Sequence, residues 1–434
     1  MPDSLRVLFV NPGADVYGSD LQMLESVRAL VRSGHEVLLL AADAGPLLDA
    51  ASAAGAEVRV TPFPVIRRSY LSVTGVSRLT SQVATRFPQM LRYVRGARCD
   101  LVYVNTMTIP WWVLAARLAG VPVLCHVHEA EDADALWLRR GMTAPLFLAD
   151  RVVLNSRTAA GVAHEVCPSL HASSTVVLNG MPDRTQPCVP PPQGERPRLA
   201  LVGRLSERKS QHVAVAAVDV LRRRGVEVDL ELAGTVYPGN EAYERRLRTM
   251  VATLGLEERV RFSGYVAPSS TVFDRADIAL SLSERESLGN VVLEAQLAGR
   301  PVIATRTGGH LETIEDGCTG LHVPVGDPEA LAAAVETLIA DPARADRLAR
   351  AGRESARRCF GVERYRDEIV SVVHEVARPH HPRVASDPTP ATRAHELSPR
   401  HPDVVATTAR DGQQSPSTAR TPGRSRRHDR RTPA

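Results

Sequence analysis

The stretch that decides the fold is Ile278-Ala-Leu-Ser-Leu-Ser-Glu-Arg-Glu286-Ser-Leu-Gly289-Asn290-Val-Val-Leu-Glu294-Ala-Gln-Leu-Ala-Gly299-Arg-Pro-Val302. Ile278–Leu282 is a short apolar run of the kind that forms a strand buried on both faces. Ser283–Leu288 is its loop. Gly289-Asn290 opens a helix that runs to about Ala298 and stops at Gly299, and Val302 begins the next strand. Strand, loop, helix and strand in that order make a crossover of a parallel sheet. The loop aims backbone amides at whatever lies beyond the strand ends, and that favours phosphate there. Glu286 sits in the loop and Glu294 just over a turn into the helix, so two carboxylates can reach one ligand from different sides.

The same alternation extends to both sides. Upstream, Arg6–Val10, Glu36–Leu40, Val58–Val60, Leu101–Asn105, Val121–His126, Arg151–Leu154 and Thr175–Leu178 read as strands, with helical patterns such as Leu21–Arg32 and Trp111–Ala119 between them. Six prolines from Pro182 to Pro197 then break the pattern. Proline lacks an amide donor and fixes φ, so this stretch is a linker. Leu199–Val202, Glu227–Leu232, Val260–Phe262, Ile278–Leu282, Val302–Ala304 and Leu321–Val323 restart the alternation. The expected organisation is an α/β chain of two Rossmann-like parallel-sheet domains facing a central cleft. An N-terminal domain spans 1–182, the linker 183–197 and a C-terminal domain 198–360. A helix over 361–377 is expected to pack back on the N-terminal domain, and a basic tail over 378–434, rich in Pro, Ser, Thr, His and Arg, is expected to be disordered.

The length of 434 residues suits two domains, and 44% hydrophobic with 24% charged residues is an ordinary globular composition. The net charge of +4 belongs to the tail, which holds 11 Arg against 5 acidic residues from Arg378 onward; the rest of the chain has 42 basic and 44 acidic residues. No nucleic-acid partner is therefore expected. The six cysteines stand singly, with no CxxC pair, so neither a disulfide framework nor a zinc site is expected, and the setting reads as cytoplasmic. No stretch reads as a signal peptide or reaches the length of a membrane span. Of 53 basic residues only Lys209 is lysine. In so arginine-rich a chain, a position that stays lysine suits a compact ammonium rather than a planar fork.

The Glu286–Glu294 stretch resembles the E-x7-E motif of retaining GT-B glycosyltransferases of family 4. Further segments match in order: Gly203-Arg204-Leu205-Ser206-Glu207-Arg208-Lys209, the Phe262-Ser263-Gly264 turn, Thr307-Gly308-Gly309-His310-Leu311-Glu312, Asp316-Gly317, and Gly18-Ser19-Asp20 with Gly34-His35. The resemblance covers roughly 5–375. It implies transfer of a sugar from a nucleotide-sugar donor, with retention of configuration and no metal or other cofactor. Arg204 and Lys209 would bind the diphosphate and stabilise it as it leaves. Glu294 would hold the ribose, Glu286 would lie near the donor sugar, and the backbone of Leu288, Gly289, Asn290 and Val291 would hold phosphate or sugar groups. Gly18, in the glycine loop after the first strand, would approach the donor.

On the N-terminal side, Cys125-His126-Val127-His128-Glu129 closes a strand at the cleft edge. Alternation puts His126 and His128 on one face. The family places a histidine near the donor sugar, and His128-Glu129 matches its pattern better than His126. Gly13-Ala-Asp-Val-Tyr-Gly18-Ser19 has P-loop glycine spacing but no lysine before Ser19, which excludes ATP hydrolysis by that motif. Asp132-Ala-Asp134 is a DxD match within an acidic loop and is read as solvated or facing the acceptor. Residues 75–98 interleave Arg78, Arg86, Arg92, Arg95 and Arg98 with apolar residues, interrupted near Pro88, and with Arg67 and Arg68 suit peripheral contact with an anionic membrane at the inner face. The acceptor stays open among glycan, lipid and small molecule. A GT-B-like sugar-nucleotide epimerase and a non-catalytic sugar-nucleotide-binding protein are the rival readings.

Overall fold

The computed structural model describes residues 4–15, 18–66, 70, 72–130, 136–184, 196–237 and 239–377. Within them, seven strands form an N-terminal parallel sheet: β1 (Arg6–Asn11), β2 (Glu36–Ala41), β3 (Glu57–Val60), β4 (Leu101–Asn105), β5 (Val123–Val127), β6 (Arg151–Leu154) and β7 (Ser174–Val176), in the order β3-β2-β1-β4-β5-β6-β7. Helices α1 (Gly18–Arg32), α2 (Pro46–Ala53), α3 (Val73–Ala97), α4 (Pro110–Ala119), α5 (Leu136–Thr143) and α6 (Arg157–Val166) connect them. The C-terminal sheet runs β10-β9-β8-β11-β12-β13, from β8 (Arg198–Val202), β9 (Asp229–Ala233), β10 (Val260–Gly264), β11 (Ile278–Ser281), β12 (Val302–Thr305) and β13 (Leu321–Val323). Its helices are α7 (Gln211–Arg223), α8 (Glu241–Thr253), α9 (Ser270–Phe273), α10 (Asn290–Leu297), α11 (His310–Thr313), α12 (Pro328–Ala340) and α13 (Pro342–Phe360), and α14 (Val362–Val376) follows.

Both sheets are covered on both faces, which is why central strands such as β1, β4, β5, β11 and β12 are largely apolar. In the N-terminal sheet Leu8, Val10, Val102 and Val104 join one core cluster, and Val7, Phe9, Leu101 and Tyr103 the other. In the C-terminal sheet the face towards α10 is built of small residues, Ala200, Ala279 and Ala304, against Val292, Ala295 and Ala298. That lets α10 sit close to the sheet. In each sheet the strand order reverses at one point, between β1 and β4 and between β8 and β11. Ligands of open parallel sheets bind outside the carboxyl ends of the strands at such switch points.

The helix after α13 leaves the C-terminal sheet. Tyr365, Ile369, Val372 and Val373 of α14 are buried in the N-terminal cluster with Val7, Phe9 and Leu39. The two chain crossovers touch, Met181 N donating to Phe360 O at 2.7 Å. A Cβ on Gly180 would stand 2.3 Å from Tyr365 Cβ, so the close approach of α14 needs glycine there.

One expectation changes. Residues 75–98 are not interrupted at Pro88; α3 runs through it from Val73 to Ala97. Pro88 removes one hydrogen bond and frees the carbonyl of Ala84, but both residues lie on the exposed face, where water can serve that carbonyl. Met90 and Val94, on the buried face, hold the helix to the core. Residues 67–69, the DxD stretch and its surroundings at 131–135, most of the proline-rich linker (185–195) and the basic tail from 378 lie outside the described residues.

Candidate active site

The C-terminal half of the site is built where β8 and β11 end. After β8, Gly203 takes φ 151°, a conformation that favours glycine, and Gly234 after β9 takes φ 150°. The two loops are pressed together: a Cβ on Gly234 would lie 2.0 Å from Gly203 O. Gly203 N donates to Ala233 O at 2.9 Å and Leu205 N to Thr235 O at 3.0 Å. Arg204 is thereby held at the mouth of the cleft, its guanidinium stacked on the Tyr237 ring. Gln211 Nε2 fixes the Arg204 carbonyl at 3.0 Å.

Lys209 lies in the short turn Glu207–Lys209, which is tied to the loop after β11 by Glu284 N donating to Arg208 O at 2.8 Å. That tie brings Lys209 Nζ to 2.5 Å from Glu286 Oε2, which also accepts from Ser283 Oγ at 3.0 Å. Burial alone would raise the Glu286 carboxyl, but the charge of Lys209 and the neighbouring His310 and Arg208 hold it down at about 2. The loop itself rests on the Thr307-Gly308-Gly309 turn. Gly309 N donates to Glu286 O at 2.8 Å, and Thr305 Oγ1 to Ser283 O at 2.6 Å. His310 is buried behind the loop between Ser281 Oγ and the Thr305 carbonyl, and burial lowers it to about 4, so it is neutral.

Gly289, at φ 96°, opens α10. Asn290, Val291 and Glu294 face a cavity of about 930 Å³ that is also lined by Gly18 and Leu21 of α1, by Arg184, Gly203, Arg204 and Gly234, and by Tyr265–Thr271. Glu294 accepts from Ser269 Oγ at 2.6 Å, and burial raises its pKa against the pull of Ser269 and Lys209. Five of the residues singled out from sequence, Gly18, Arg204, Asn290, Val291 and Glu294, thus line one cavity. Lys209 and Glu286 form the ion pair described above, outside its lining. Leu288 turns away, its side chain buried with Leu293, Leu297 and Phe360, so only its backbone can serve a ligand.

The N-terminal half is built where β1, β4 and β5 end. His126 is fully buried, its Nδ1 2.7 Å from Tyr103 OH. His128, one residue past β5, lies at the seam between the domains, its ring centroid 4.1 Å from that of His126. Its Nε2 is 2.9 Å from Asn105 Oδ1, and burial lowers it to about 4. The two halves meet through Ser287 Oγ to Asn155 Oδ1 at 2.7 Å and Asn179 Nδ2 to Asn290 Oδ1 at 2.8 Å. They also meet through Glu312, whose carboxylate accepts from Arg157 N, Thr158 N and Thr158 Oγ1 at 2.9, 2.7 and 2.7 Å. Among the described residues no group of three His, Cys, Asp or Glu could hold a metal ion, and no helix is long and apolar enough to cross a membrane.

Sequence reading missed Ser269, Tyr237, Ser283, Asn105 and Asn155. Each is a common polar residue with no spacing signal; Ser283 lies in the Glu286 loop itself, and the other four are brought in by elements distant in sequence. His310 carried a signal, since it follows the paired glycines 308 and 309.

Residues 18–192 match the family described as "Glycosyl transferase 4-like domain", and residues 184–355 match "Glycosyl transferases group 1". The chain is 30% identical over 421 residues to the D-inositol 3-phosphate glycosyltransferase of Salinispora tropica, covering 86% of this chain and 84% of that protein. It is 32% identical over 179 residues to the lipopolysaccharide core biosynthesis glycosyltransferase LpsE of Rhizobium meliloti, covering 41% of this chain and 50% of LpsE. It therefore spans half the length of that relative. Anabaena HepE, solved with UDP and glucose, shares the fold at a TM-score of 0.73 and 21% identity, over 85% of this chain and 99% of that one. Two parallel-sheet domains meeting across a cleft, with this structural likeness, define the GT-B class. Within that class the chain belongs to glycosyltransferase family 4.

Proposed function

We propose that the protein transfers a sugar from a nucleotide-sugar donor to an acceptor, with retention of configuration. The observation that carries this is the cavity in which Arg204, Glu294 and the first residues of α10 converge, next to the Lys209–Glu286 pair. Glycosyl departure leaves negative charge on the distal phosphate. Arg204 and Lys209 meet that charge as fixed cations, so the reaction needs no metal. A diphosphate competes with Glu286 for Lys209 and frees the carboxylate towards the donor sugar. Glu294, with Ser269, holds the ribose. The backbone from Leu288 to Val291 takes phosphate or sugar oxygens, Gly18 approaches the donor from the facing domain, and His128 faces the sugar. The setting is cytoplasmic.

A thermal-shift screen against UDP-, GDP- and ADP-sugars, followed by nucleotide release with and without acceptors, tests this reading. A bound donor raises the melting temperature according to its affinity. Turnover without any second substrate would point instead to an epimerase. Donor binding without turnover under any acceptor would point to a binding protein.

The α3 arginines at 78, 86, 92 and 95, with Arg98 beyond its end, are all exposed, which supports peripheral contact with an anionic membrane. Sedimentation with phosphatidylglycerol vesicles, lost when Arg78, Arg86 and Arg92 become Glu, is the expected result; binding unaffected by those changes would exclude α3.

A further inference from the structure

A neutral imidazole donates from one nitrogen and accepts at the other, and its hydrogen-bond partners decide which is which. Beneath His128 those partners form a chain with one polarity. Asn11, at the end of β1, gives both its amide hydrogens to groups that accept only: the Gly13 carbonyl at 2.9 Å and the Asp20 carboxylate at 3.0 Å. Its Oδ1 therefore faces away from them and accepts from Asn105 Nδ2 at 2.8 Å. That leaves Asn105 with its oxygen, 2.9 Å from His128 Nε2. An amide oxygen cannot donate, so the proton sits on His128 Nε2. Both asparagines are 1% exposed, so water does not substitute at any joint. Reversing the chain would oppose like groups at a joint and leave a buried polar group unsatisfied.

The other nitrogen of His128, Nδ1, is buried and has no hydrogen-bond partner among the described residues. The nearby carboxylate does not supply one: Glu129 accepts from His128 N at 3.0 Å and from Thr106 Oγ1. The residue sits close to where the domains meet: Asn155 Nδ2 donates to the His128 carbonyl at 3.4 Å, and Asn155 Oδ1 accepts from Ser287 Oγ of the Glu286 loop.

We propose that Asn11 and Asn105 are positioning residues that lock His128 in the Nε2–H tautomer, so that its Nδ1 serves as an acceptor for a hydroxyl of the bound sugar. The proposal rests on the sugar-facing role of His128 given above. Burial works in the same direction, because a histidine held at about 4 does not gain the second proton that would turn Nδ1 into a donor. The group His128 recognises is thus a hydroxyl and not a carbonyl or phosphate oxygen.

Imidazole ¹⁵N NMR of the full chain labelled with [¹⁵N]histidine tests it, with His128 assigned by the signal lost in His128→Gln. At neutral pH the wild type is expected to show a protonated Nε2 and an unprotonated Nδ1. The Nδ1 resonance is expected to move on adding whichever of UDP-glucose, GDP-mannose and ADP-glucose gives a thermal shift. Asn11→Leu, one joint removed from the ring, is expected to yield a mixture of tautomers and to lower kcat for nucleotide release about ten-fold with a smaller change in KM. Asn105→Leu is expected to do the same, and Asn105→Asp, which keeps an oxygen opposite Nε2, to retain the Nε2–H pattern. A wild-type His128 protonated on Nδ1, or a pattern unchanged in both leucine variants, overturns the proposal. Unchanged turnover in His128→Gln, when the wild type shows the Nε2–H pattern, overturns instead the sugar-facing role on which it rests.

Discussion

Lys209 is the one lysine among 53 basic residues, and its ammonium meets Glu286 end-on at 2.5 Å in a place where the Glu286 side chain is only 14% exposed. A guanidinium is planar and wider, and it would have to displace the Glu286 loop to reach the same oxygen. Lys209→Arg is therefore expected to reduce nucleotide release about 100-fold, nearly as much as Lys209→Ala, a difference of about 3 kcal/mol in the barrier. Steady-state kcat with the preferred donor measures it; an arginine variant within three-fold of wild type would sink the slot argument. At this scale the two glutamates were legible from sequence because their spacing spans a loop and one helical turn. Their partners were not. Ser269, which holds Glu294, comes from the end of a different crossover, and nothing in its own neighbourhood marks it.

The element that matters most for the site is the turn from Thr307 to Gly309, because the Glu286 loop lies directly on it. A Cβ on Gly309 would stand 2.2 Å from Leu288 Cα and 2.3 Å from Ser287 O. Both are backbone atoms and cannot swing aside. Gly309→Ala is expected to push the loop off the turn, abolish most turnover and lower the melting temperature. Gly161→Ala, within α6, meets nothing within 4 Å and is expected to be neutral or to stabilise by about 0.5–1 kcal/mol. Parallel melting and turnover measurements on the two variants decide the point, and a Gly309→Ala protein with normal turnover would show that the turn does not support the loop. Elements themselves were readable wherever an apolar run or a glycine stop was local. Pro88 misled because proline's effect on a helix depends on which face it occupies, and that face is chosen by packing.

At the scale of the molecule, Glu312 joins the two domains. Its carboxylate takes the first amides of α6, Arg157 N and Thr158 N, while Ser156 Oγ caps the next, Ala159 N, at 2.9 Å. A negative group at a helix N-terminus is favoured by the helix dipole, and this one is available to α6 only while the domains are together. Glu312→Ala is expected to raise hydrogen exchange at Arg157 and Thr158 while Ala159 stays protected, and to lower kcat about ten-fold at saturating donor through loss of the closed form. Equal exchange at all three amides in both proteins would show that the contact does not hold the cleft shut. Acidity acts on the same interior. Burial lowers His126, His128 and His310, so the folded state carries fewer protons than the unfolded chain as pH falls from about 6.5 to 4, and stability drops across that window. Glu286, held at about 2, contributes stability above its unfolded value that is lost below about pH 4.5. Melting temperatures measured from pH 7 to 4 are expected to fall with pH, and His310→Gln to flatten the upper part of the slope; a flat wild-type profile would contradict the buried neutral histidines.

Strand and helix order, the two-sheet organisation and the family were determined by sequence alone, because parallel strands announce themselves by continuous apolar runs and the site loops by glycines that their backbone conformations require. So were the residues of the Gly203–Lys209 and Glu286–Glu294 segments. Only the tertiary structure decided that Lys209 pairs with Glu286, that Leu288 turns into the core, that His126 is sealed while His128 lies at the seam, and that Asn11 and Asn105 set the polarity beneath it. The physical reason is the range of the interactions. Periodicity and backbone geometry act over a few residues. Hydrogen-bond partners are chosen by how elements 23 to 154 residues apart pack against one another.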